Sequence, residues 1–256
     1  MTALITGASS GIGLELARIF AANGHDIVVV ARSEDKLRAV ARECEALGVS
    51  ARVIAADLAR SGAAGMLVDE VERLRLEIDI LVNNAGFGAY GRLTETPLRT
   101  ELDMIQLNIA SLTELTKRCL PGMLARRRGR ILNVASTAAF LPGPLMAVYY
   151  ATKAYVLSFS EAIANELEGT GVTVTALCPG PTASGFQAAA SLQESKLVAG
   201  KTLPTARAVA ASGYEALMAG KVVHVVGASN KLTVLAPRIF PRAVIRRVVR
   251  AVQERR

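Results

Sequence analysis

The hydrophobic positions of this 256-residue chain fall into short, nearly uninterrupted apolar runs separated by longer amphipathic stretches. Seven such runs predict buried strands, at residues 3–6, 27–30, 52–55, 79–82, 130–134, 172–177 and 222–226. Helical spacing between them predicts helices at residues 35–47, 98–126 and 150–167. Apolar strands joined by helices are typical of a parallel sheet covered on both faces. The pattern therefore predicts a single-domain, doubly wound α/β fold over residues 1–237.

The composition is that of a globular protein, with 51% hydrophobic and 20% charged residues. The first strand begins almost directly after Met1, so we expect no secretory leader. No apolar run reaches the roughly 18 residues of a membrane-spanning helix. The three cysteines are widely spaced and fit no metal-ligand pattern, and there are two histidines. A cytoplasmic protein with reduced thiols and no metal site is the expectation.

The C-terminal stretch 238–256 is strongly basic. It holds seven arginines and one glutamate, a net charge of +6 out of +8 for the whole chain. Val244, Ile245, Val248 and Val249 recur at helical spacing among them, which predicts a basic amphipathic helix. Two interpretations stay open: the helix makes a peripheral contact with an anionic membrane surface, or it packs on the core or on a neighbouring subunit with its arginines in solvent. We favour packing, and we expect no nucleic-acid partner because no recognised binding module accompanies the charge.

A glycine-rich turn follows the first predicted strand and precedes a stretch of helical spacing from Leu14 to Phe20. In a strand–turn–helix unit, backbone N–H groups at the helix N-terminus face a pyrophosphate, and glycines let the backbone approach it without a Cβ in the way. The glycine spacing here is Gly-x-x-x-Gly-x-Gly rather than Gly-x-Gly-x-x-Gly. The turn predicts a dinucleotide-phosphate site formed by Gly7, Ser9, Ser10, Gly11, Ile12 and Gly13.

Tyr149 and Lys153 stand four residues apart in a predicted helix, so their side chains project from one face. A lysine ammonium beside a phenol favours the phenolate and lowers the tyrosine pKa, which makes the tyrosine a usable proton donor or acceptor near neutral pH. Tyr150, three residues before Lys153, competes for the same role. The four-residue spacing favours Tyr149.

Five motifs occur in an order that resembles the short-chain dehydrogenase/reductase family. They are Thr6-Gly7-x-x-x-Gly11-x-Gly13, Asn83-Asn84-Ala85-Gly86, Ser136, Tyr149-x-x-x-Lys153 and Pro179-Gly180. The first motif resembles the oxidoreductase branch of that family. The resemblance implies that Tyr149 exchanges a proton with the substrate oxygen while a hydride moves between substrate and nicotinamide, and the gap from Ser136 favours Tyr149 over Tyr150. It also implies that Lys153 lowers the tyrosine pKa and binds the nicotinamide ribose, that Ser136 binds the substrate oxygen, and that Asn108 anchors a water.

The end of the second predicted strand indicates which nicotinamide cofactor is bound. No carboxylate stands there to bind the ribose hydroxyls, and Arg32 offers a guanidinium that suits a 2′-phosphate. Ala31-Arg32 resembles the NADP(H)-using members of the family, although Ser10 stands where many of them have a lysine or arginine. The resemblance implies further cofactor contacts from Asp57, Leu58, Asn84, Ala85, Gly86, Tyr149, Lys153, Pro179, Gly180 and Thr182.

The substrate is less well defined by the sequence. An apolar pocket is predicted from the side chains that flank the catalytic motifs, namely Phe87, Tyr90, Phe140, Leu141, Leu145 and Met146. The family resemblance implies a flap over the substrate, at about residues 183–203, and a homodimer or homotetramer. The leading hypothesis is an NADP(H)-dependent oxidoreductase that interconverts a carbonyl and an alcohol on a hydrophobic small molecule. The alternative is a non-catalytic NADP-binding regulator that signals redox state to a partner through its basic tail.

Overall fold

The computed structural model describes residues 1–186, 190, 195–196, 200 and 202–254. Its strands are β1 (Thr2–Thr6), β2 (Asp26–Ala31), β3 (Ala51–Ala55), β4 (Ile80–Asn83), β5 (Gly129–Val134), β6 (Val172–Cys178) and β7 (Val223–Val225). They form one parallel sheet in the order β3-β2-β1-β4-β5-β6-β7. Each strand falls on one of the predicted apolar runs, and the doubly wound α/β fold is confirmed.

Helices cover both faces of the sheet. The α-helices in the described part of the chain are α1 (Gly11–Ala22), α2 (Glu34–Glu45), α3 (Ala63–Arg73), α4 (Leu98–Ile105), α5 (Leu112–Ala125), α6 (Ala147–Glu166), α7 (Ala206–Met218), α8 (Ala228–Ile239) and α9 (Arg242–Gln253). A π-helix at Gln106–Ser111 joins α4 to α5, so the single helix predicted at residues 98–126 has three parts. One π turn shifts the helical spacing only slightly, and the hydrophobic pattern therefore did not reveal it.

Side chains alternate across the sheet and build a core on each face. Ile5 of β1 belongs to a buried cluster that α1, α2 and α7 cover. Leu4, its neighbour along the strand, belongs to a second cluster under α3, α5 and α6. Both cores are continuous along several strands, which explains why the strands read as apolar runs rather than as alternating patterns.

The sheet reverses its order at β1, which pairs with β2 on one side and with β4 on the other. A crevice opens outside the carboxyl ends of the strands at such a reversal. Thr6 ends β1 and Asn83 ends β4, so both lie at this crevice. The topology therefore brings the glycine turn and the Asn83–Gly86 motif together, although they are far apart in sequence.

The C-terminal stretch differs from the single basic helix predicted at residues 238–256. Helix α8 begins earlier, at Ala228, and α9 starts at Arg242 after Pro241. Proline lacks the backbone N–H that would continue a helix, so it separates the two. Arg255 and Arg256 lie outside the described residues. In the part of the chain that the structure describes, no helix is both long enough and apolar enough to cross a membrane.

Much of the predicted flap at residues 183–203 also lies outside the described residues, namely 187–189, 191–194, 197–199 and 201. The two ends of this segment are joined. Ala183 forms a β-bridge with Thr205, and the Ala183 N–H donates to the carbonyl oxygen of Pro204 at 2.8 Å. The start and end of the segment are thereby fixed beside the carboxyl end of β6.

Candidate active site

The turn after β1 packs tightly against the end of β4. Gly7 and Gly11 have φ angles of +68° and +57°, in the left-handed region that favours glycine. A Cβ on Gly13 would lie 2.4 Å from the carbonyl oxygen of Gly7 and 2.3 Å from Asn84 Nδ2. The Ser10 side chain does not cap α1, so it leaves the N–H groups of the first helical turn to a ligand. The glycines leave open a space that side chains would otherwise fill, and backbone N–H groups face it. Such a space fits the pyrophosphate of a dinucleotide.

Thr6 and Asn84 hold this turn in place. The Thr6 hydroxyl donates to the carbonyl oxygen of Val82 at 3.1 Å and accepts from the N–H groups of Asn84 and Ala85, both at 3.0 Å. The Asn84 amide donates to the carbonyl oxygens of Thr6 and Gly7, at 2.9 Å and 3.3 Å. Because Thr6 is buried, water cannot replace these bonds. Asn84 therefore fixes the backbone of the turn that forms the predicted phosphate site.

Asn83 belongs to a buried polar network that the sequence analysis missed. Its Nδ2 donates to Thr116 Oγ1 at 3.0 Å and to Asn133 Oδ1 at 2.9 Å. Asn133 Nδ2 in turn donates to Ser160 Oγ at 2.9 Å. The network ties β4 and β5 to α5 and α6. Asn133 interrupts an apolar run, and this interruption was the one sequence feature that could have indicated the buried polar network.

Ser136, Tyr149 and Lys153 come together at the carboxyl end of β5. The Ser136 hydroxyl accepts from the Ala138 N–H at 3.1 Å, which fixes it at the start of a 3₁₀ turn. Tyr149 lies beside Ser136, close enough for the serine hydroxyl to lower the Tyr149 pKa. Lys153, one turn further along α6, is buried, and its Nζ donates to the carbonyl oxygen of Val134 at 2.7 Å. The structure therefore brings the three predicted groups into one cluster.

The pKa of Tyr149 differs from the expectation drawn from spacing. Burial raises the Tyr149 pKa well above its ordinary value, and the neighbouring Ser136 hydroxyl offsets this only in part. Burial also lowers the pKa of Lys153 from 10.5 to about 8. The Lys153 ammonium lies 5.9 Å from the centroid of the Tyr149 ring. In this arrangement Lys153 does not bring the tyrosine pKa below its ordinary value, because desolvation of the phenol dominates the shift.

Tyr150 has a different environment from Tyr149. It is buried, and it packs with Ile245 and Val249 of α9. Its ring lies on the backbone of Gly143, where a Cβ would be 2.1 Å from the ring. Burial raises the pKa of Tyr150 to about 12. Tyr150 is therefore a core residue, whereas Tyr149 lies beside Ser136.

Asn108 lies in the π-helix and is buried. Its Nδ2 donates to the carbonyl oxygen of Phe87 and to Thr152 Oγ1, both at 3.0 Å, and its Oδ1 accepts from the Phe87 N–H at 3.2 Å. A Cβ on Gly86 would lie 2.9 Å from Asn108 Oδ1 and 3.6 Å from Lys153 Nζ. Asn108 therefore links the loop after β4 to α6 beside the lysine. Short π-helices are frequent at functional sites.

The turn after β6 contacts Ser136 from the other side. Ser136 Oγ donates to the carbonyl oxygen of Pro179 at 3.3 Å, and Thr182 Oγ1 donates to that of Gly180 at 2.9 Å. A Cβ on Gly180 would lie 2.6 Å from the Asn230 side-chain amide, so α8 approaches this turn closely. Asn230 was not predicted, since nothing in its local sequence points to the turn. Two predicted cofactor residues, Pro179 and Gly180, thus adjoin the catalytic cluster.

The predicted adenosine residues lie at the ends of β2 and β3. Arg32 is exposed directly after β2. Asp57 follows β3 and forms a 3.6 Å ion pair with Arg60. Leu58 is buried, and its carbonyl oxygen accepts from the Ser111 hydroxyl at 2.6 Å. Because β1, β2 and β3 are parallel neighbours, these residues share one edge of the sheet with the glycine turn.

An apolar wall stands beside Tyr149. The ring of Phe186 lies 5.3 Å from that of Tyr149, and Met146 belongs to the same cluster. A Cβ on Gly88 would lie 2.9 Å from Phe186 and 3.1 Å from both Met146 and Tyr149, so the wall requires glycine there. Gly88 was not predicted. Phe140, predicted to line this pocket, packs in a different cluster under β6 and β7.

This arrangement defines a class of protein. A glycine-lined cradle at the carboxyl edge of a parallel sheet adjoins two neighbouring hydroxyls and a buried lysine. Hydroxyls so placed can bind a carbonyl oxygen and transfer a proton to it. The fold and site are those of a dinucleotide-dependent oxidoreductase.

Comparison with known sequences gives the family. The sequence model of the short chain dehydrogenases matches residues 1–195. A putative ketoacyl reductase of Streptomyces coelicolor is 39% identical over 180 residues, 70% of this chain and 69% of that protein. A short chain dehydrogenase of Pseudocercospora fijiensis is 37% identical over 185 residues, 72% of this chain and 60% of that protein. The chain belongs to the short-chain dehydrogenase/reductase family, and its match spans three fifths to about two thirds of these relatives' length.

Solved structures agree with this assignment. A short-chain dehydrogenase from Sphingobium yanoikuyae in complex with NADPH has a TM-score of 0.81 and 29% identity, over 99% of this chain and 98% of that chain. A family member from Burkholderia phymatum in complex with NAD has a TM-score of 0.82 and 25% identity, over 93% of this chain and 92% of that chain. Structural neighbours therefore include both NADP(H) and NAD complexes.

Proposed function

We propose that this protein is an NADP(H)-dependent oxidoreductase that interconverts a carbonyl and an alcohol on a hydrophobic small molecule. The observation that carries the proposal is the proximity of the Ser136 and Tyr149 side chains, next to the apolar wall formed by Met146 and Phe186. Family membership supports oxidoreduction of hydroxyl and keto groups. The preference for NADP(H) and the hydrophobic substrate are proposed in addition to what family membership supports.

Ser136 and Tyr149 bind one substrate oxygen with their two hydroxyls. The raised pKa of Tyr149 keeps the phenol protonated at neutral pH, and this form gives a proton to a carbonyl oxygen during reduction. A nicotinamide cofactor held at the glycine turn would supply the hydride for the carbonyl carbon, and this hydride together with the Tyr149 proton would make the alcohol. In the reverse direction the Tyr149 phenol must first give up its own proton, and only the phenolate can then accept the proton of the alcohol. Lys153, with a pKa of about 8, carries a proton close to the phenol near neutral pH.

The preference for NADP(H) rests on charge at the end of β2. Arg32 is exposed there, and no acidic residue stands at the end of the strand to repel a 2′-phosphate. A guanidinium binds phosphate in a bidentate manner. The NADPH complex of the Sphingobium yanoikuyae relative supports this choice, whereas the NAD complex of the Burkholderia phymatum relative means that fold similarity alone does not decide it.

The substrate is proposed to carry its oxo group on an apolar chain. Tyr149 faces Phe186 and Met146, which offer no charge to a polar substrate. The Streptomyces coelicolor relative is a putative ketoacyl reductase, and an acyl chain bearing a ketone suits such a wall. A 3-oxoacyl thioester is therefore the first compound class to test.

A cofactor titration tests the proposed preference for NADP(H). We expect NADPH to bind more tightly than NADH, and Arg32→Ala to weaken NADPH binding by about tenfold, the order of one lost charge-assisted bond, with little effect on NADH. Arg42→Ala is the matched control, because Arg42 is also exposed on the α2 side of the sheet. Equal or tighter NADH binding by the wild type would contradict the Arg32 argument. Turnover of 3-oxoacyl thioesters of increasing chain length then tests the substrate.

A homo-oligomer is also proposed. Leu98, Leu102 and Ile105 are large apolar side chains exposed on α4, and Tyr155 is exposed on α6. Apolar side chains at this spacing on one helix form a face suited to a subunit contact. Light scattering of the wild type and of Leu98→Glu/Leu102→Glu tests the idea. We expect the variant to form smaller particles, and a wild-type monomer would refute it.

A further inference from the structure

Helices α8 and α9, which we call the C-terminal helix pair, have an inner and an outer face. On the inner face Ile245, Val249 and Gln253 of α9 are buried. Ile245 and Val249 pack in the cluster that contains Tyr150, and the Tyr90 hydroxyl donates to the carbonyl oxygen of Gln253 at 2.9 Å. This face is therefore part of the protein core beside the active site, as the packing interpretation of the basic tail predicted.

The outer face leaves large apolar side chains in solvent. Leu232 and Ile239 of α8 are each 73% exposed, and Leu235 between them is 43% exposed. Their spacing of three and four residues puts them on one side of α8. Phe240, in the bend between the helices, is 53% exposed, and Val248 of α9 is 54% exposed. Packing on the core thus accounts for the inner face alone.

The same helix pair carries an excess of positive charge. Its cations are Lys231, Arg238, Arg242, Arg246, Arg247 and Arg250, and its one acidic residue is Glu254. Glu254 lies 3.3 Å from Arg250 and 4.0 Å from Lys196. Among the residues that the structure describes, no carboxylate lies within ion-pairing distance of Arg238, Arg242, Arg246 or Arg247. The surface therefore combines exposed apolar groups with unbalanced positive charge.

Three kinds of partner for this outer face can be compared by whether they satisfy both its charge and its apolar side chains. A second copy of this chain would bring the same arginines face to face, which is unfavourable without intervening anions. A nucleic acid would neutralise the arginines but would leave Leu232, Ile239 and Phe240 without apolar contacts. An anionic lipid surface satisfies both features, because apolar side chains enter the acyl boundary while arginines meet the headgroups.

We propose that the outer face of the C-terminal helix pair docks this protein on an anionic lipid surface. Leu232, Ile239 and Phe240 enter the bilayer interface, and the arginines that follow them along the chain bind lipid phosphates. Docking by this face leaves a neighbouring cleft uncovered. A cleft of about 460 Å³ between the loop at Tyr90 and α9 is lined by Arg250 and Glu254, which lie on a different side of α9 from Val248.

Flotation of the full-length protein with lipid vesicles tests the proposal. Vesicles of phosphatidylcholine alone are compared with vesicles that also contain phosphatidylglycerol, at low and at high salt. Two variants alter the outer face: Leu232→Ser/Ile239→Ser and Arg238→Glu/Arg247→Glu. Two matched controls place the same kinds of change elsewhere: Leu47→Ser/Met66→Ser, at exposed apolar positions, and Arg42→Glu/Arg52→Glu, at exposed basic positions.

The wild type and both controls should float with phosphatidylglycerol vesicles and much less with phosphatidylcholine, and high salt should weaken the binding. Each outer-face variant should lose about tenfold or more in vesicle affinity. One variant removes apolar side chains that enter the bilayer interface, and the other removes positive charges that attract anionic lipids. Melting temperature and NADPH affinity should stay unchanged, which shows that the variants fold. Absence of vesicle binding by the wild type, or equal binding by the outer-face variants, would overturn the proposal. Loss of an oligomer in Leu232→Ser/Ile239→Ser without any vesicle binding would assign the face to a second copy instead.

Discussion

Lys153 and Tyr149 lie one turn apart on α6, but the lysine donates its 2.7 Å hydrogen bond to the carbonyl oxygen of Val134 at the end of β5. The phenol of Tyr149 lies beside the Ser136 hydroxyl instead. The lysine thus joins the helix to the sheet from below, and the tyrosine faces the cleft. Burial, and not these contacts, sets the pKa directions of both groups, and this arrangement underlies the predictions on the two residues.

The two adjacent tyrosines should respond differently to loss of the hydroxyl. Tyr149→Phe removes the proposed proton donor, and we expect kcat to fall by about 10²- to 10⁴-fold with NADPH affinity retained. Tyr150→Phe is the matched control: its ring stays packed among Ile245 and Val249, and turnover should be largely kept. Steady-state kinetics and cofactor titration measure both. If Tyr149→Phe keeps full activity on a substrate that the wild type turns over, the assignment of the proton donor fails.

Lys153 should make stability depend on alkaline pH. Its pKa is about 8 in the folded protein and near 10.5 when unfolded, so between these values the unfolded state binds more protons and stability rises with pH. Below about pH 8 both states are charged and the burial penalty is fully present. Lys153→Met removes this contribution.

The stability of Lys153→Met relative to wild type should therefore fall as pH rises from 8 to 10, by up to roughly 1.4 kcal/mol per pKa unit crossed. Comparing the two proteins cancels the opposing effect of the buried cysteines and tyrosines, whose raised pKa values lower stability as pH rises through this range and above. Urea unfolding at several pH values measures the difference. A difference that does not change with pH would mean that Lys153 keeps an ordinary pKa.

Thr6 should be essential to the shape of the phosphate turn. Thr6→Val keeps the side-chain volume but leaves two backbone N–H groups, those of Asn84 and Ala85, without their acceptor. We expect a loss of about 1–3 kcal/mol in unfolding free energy, together with weaker cofactor binding. Thr233→Val is the control, because the exposed Thr233 hydroxyl bonds the Ser229 carbonyl oxygen of its own helix. Equal stability of the two variants would remove the role assigned to Thr6.

Gly13 and Gly122 should show opposite effects of the same substitution. A Cβ on Gly13 meets the Gly7 carbonyl oxygen at 2.4 Å, so Gly13→Ala must open the turn, at a cost of about 1–3 kcal/mol, with loss of cofactor affinity. At Gly122 in α5 a Cβ meets the flexible end of Arg126 at 3.2 Å. Gly122→Ala should stabilise the helix by about 0.5–1 kcal/mol. Thermal unfolding and NADPH titration of both variants check this pair.

The placement of many candidate site residues could be predicted from the sequence, because every parallel strand of this fold ends at the same edge of the sheet. Parallel strands end at one edge of the sheet, so residues that follow apolar runs, such as Thr6, Asn84 and Ser136, meet there whatever their distance in sequence. Tyr149 and Lys153 are four residues apart, so their side chains lie on the same face of any α-helix. Gly88 and Asn230 escaped prediction because their contacts, with Phe186 and with Gly180, come from segments distant in sequence.

By itself, the sequence determined the seven strands and the position of the catalytic and glycine motifs, since hydrophobic periodicity and backbone freedom are local properties. Tertiary structure alone decided that Tyr150 is a core residue, that the Tyr149 pKa is raised, and that the C-terminal basic stretch divides into an inner face on the core and an outer face in solvent. Burial and desolvation depend on what the rest of the chain places around a group, and no local pattern carries that information.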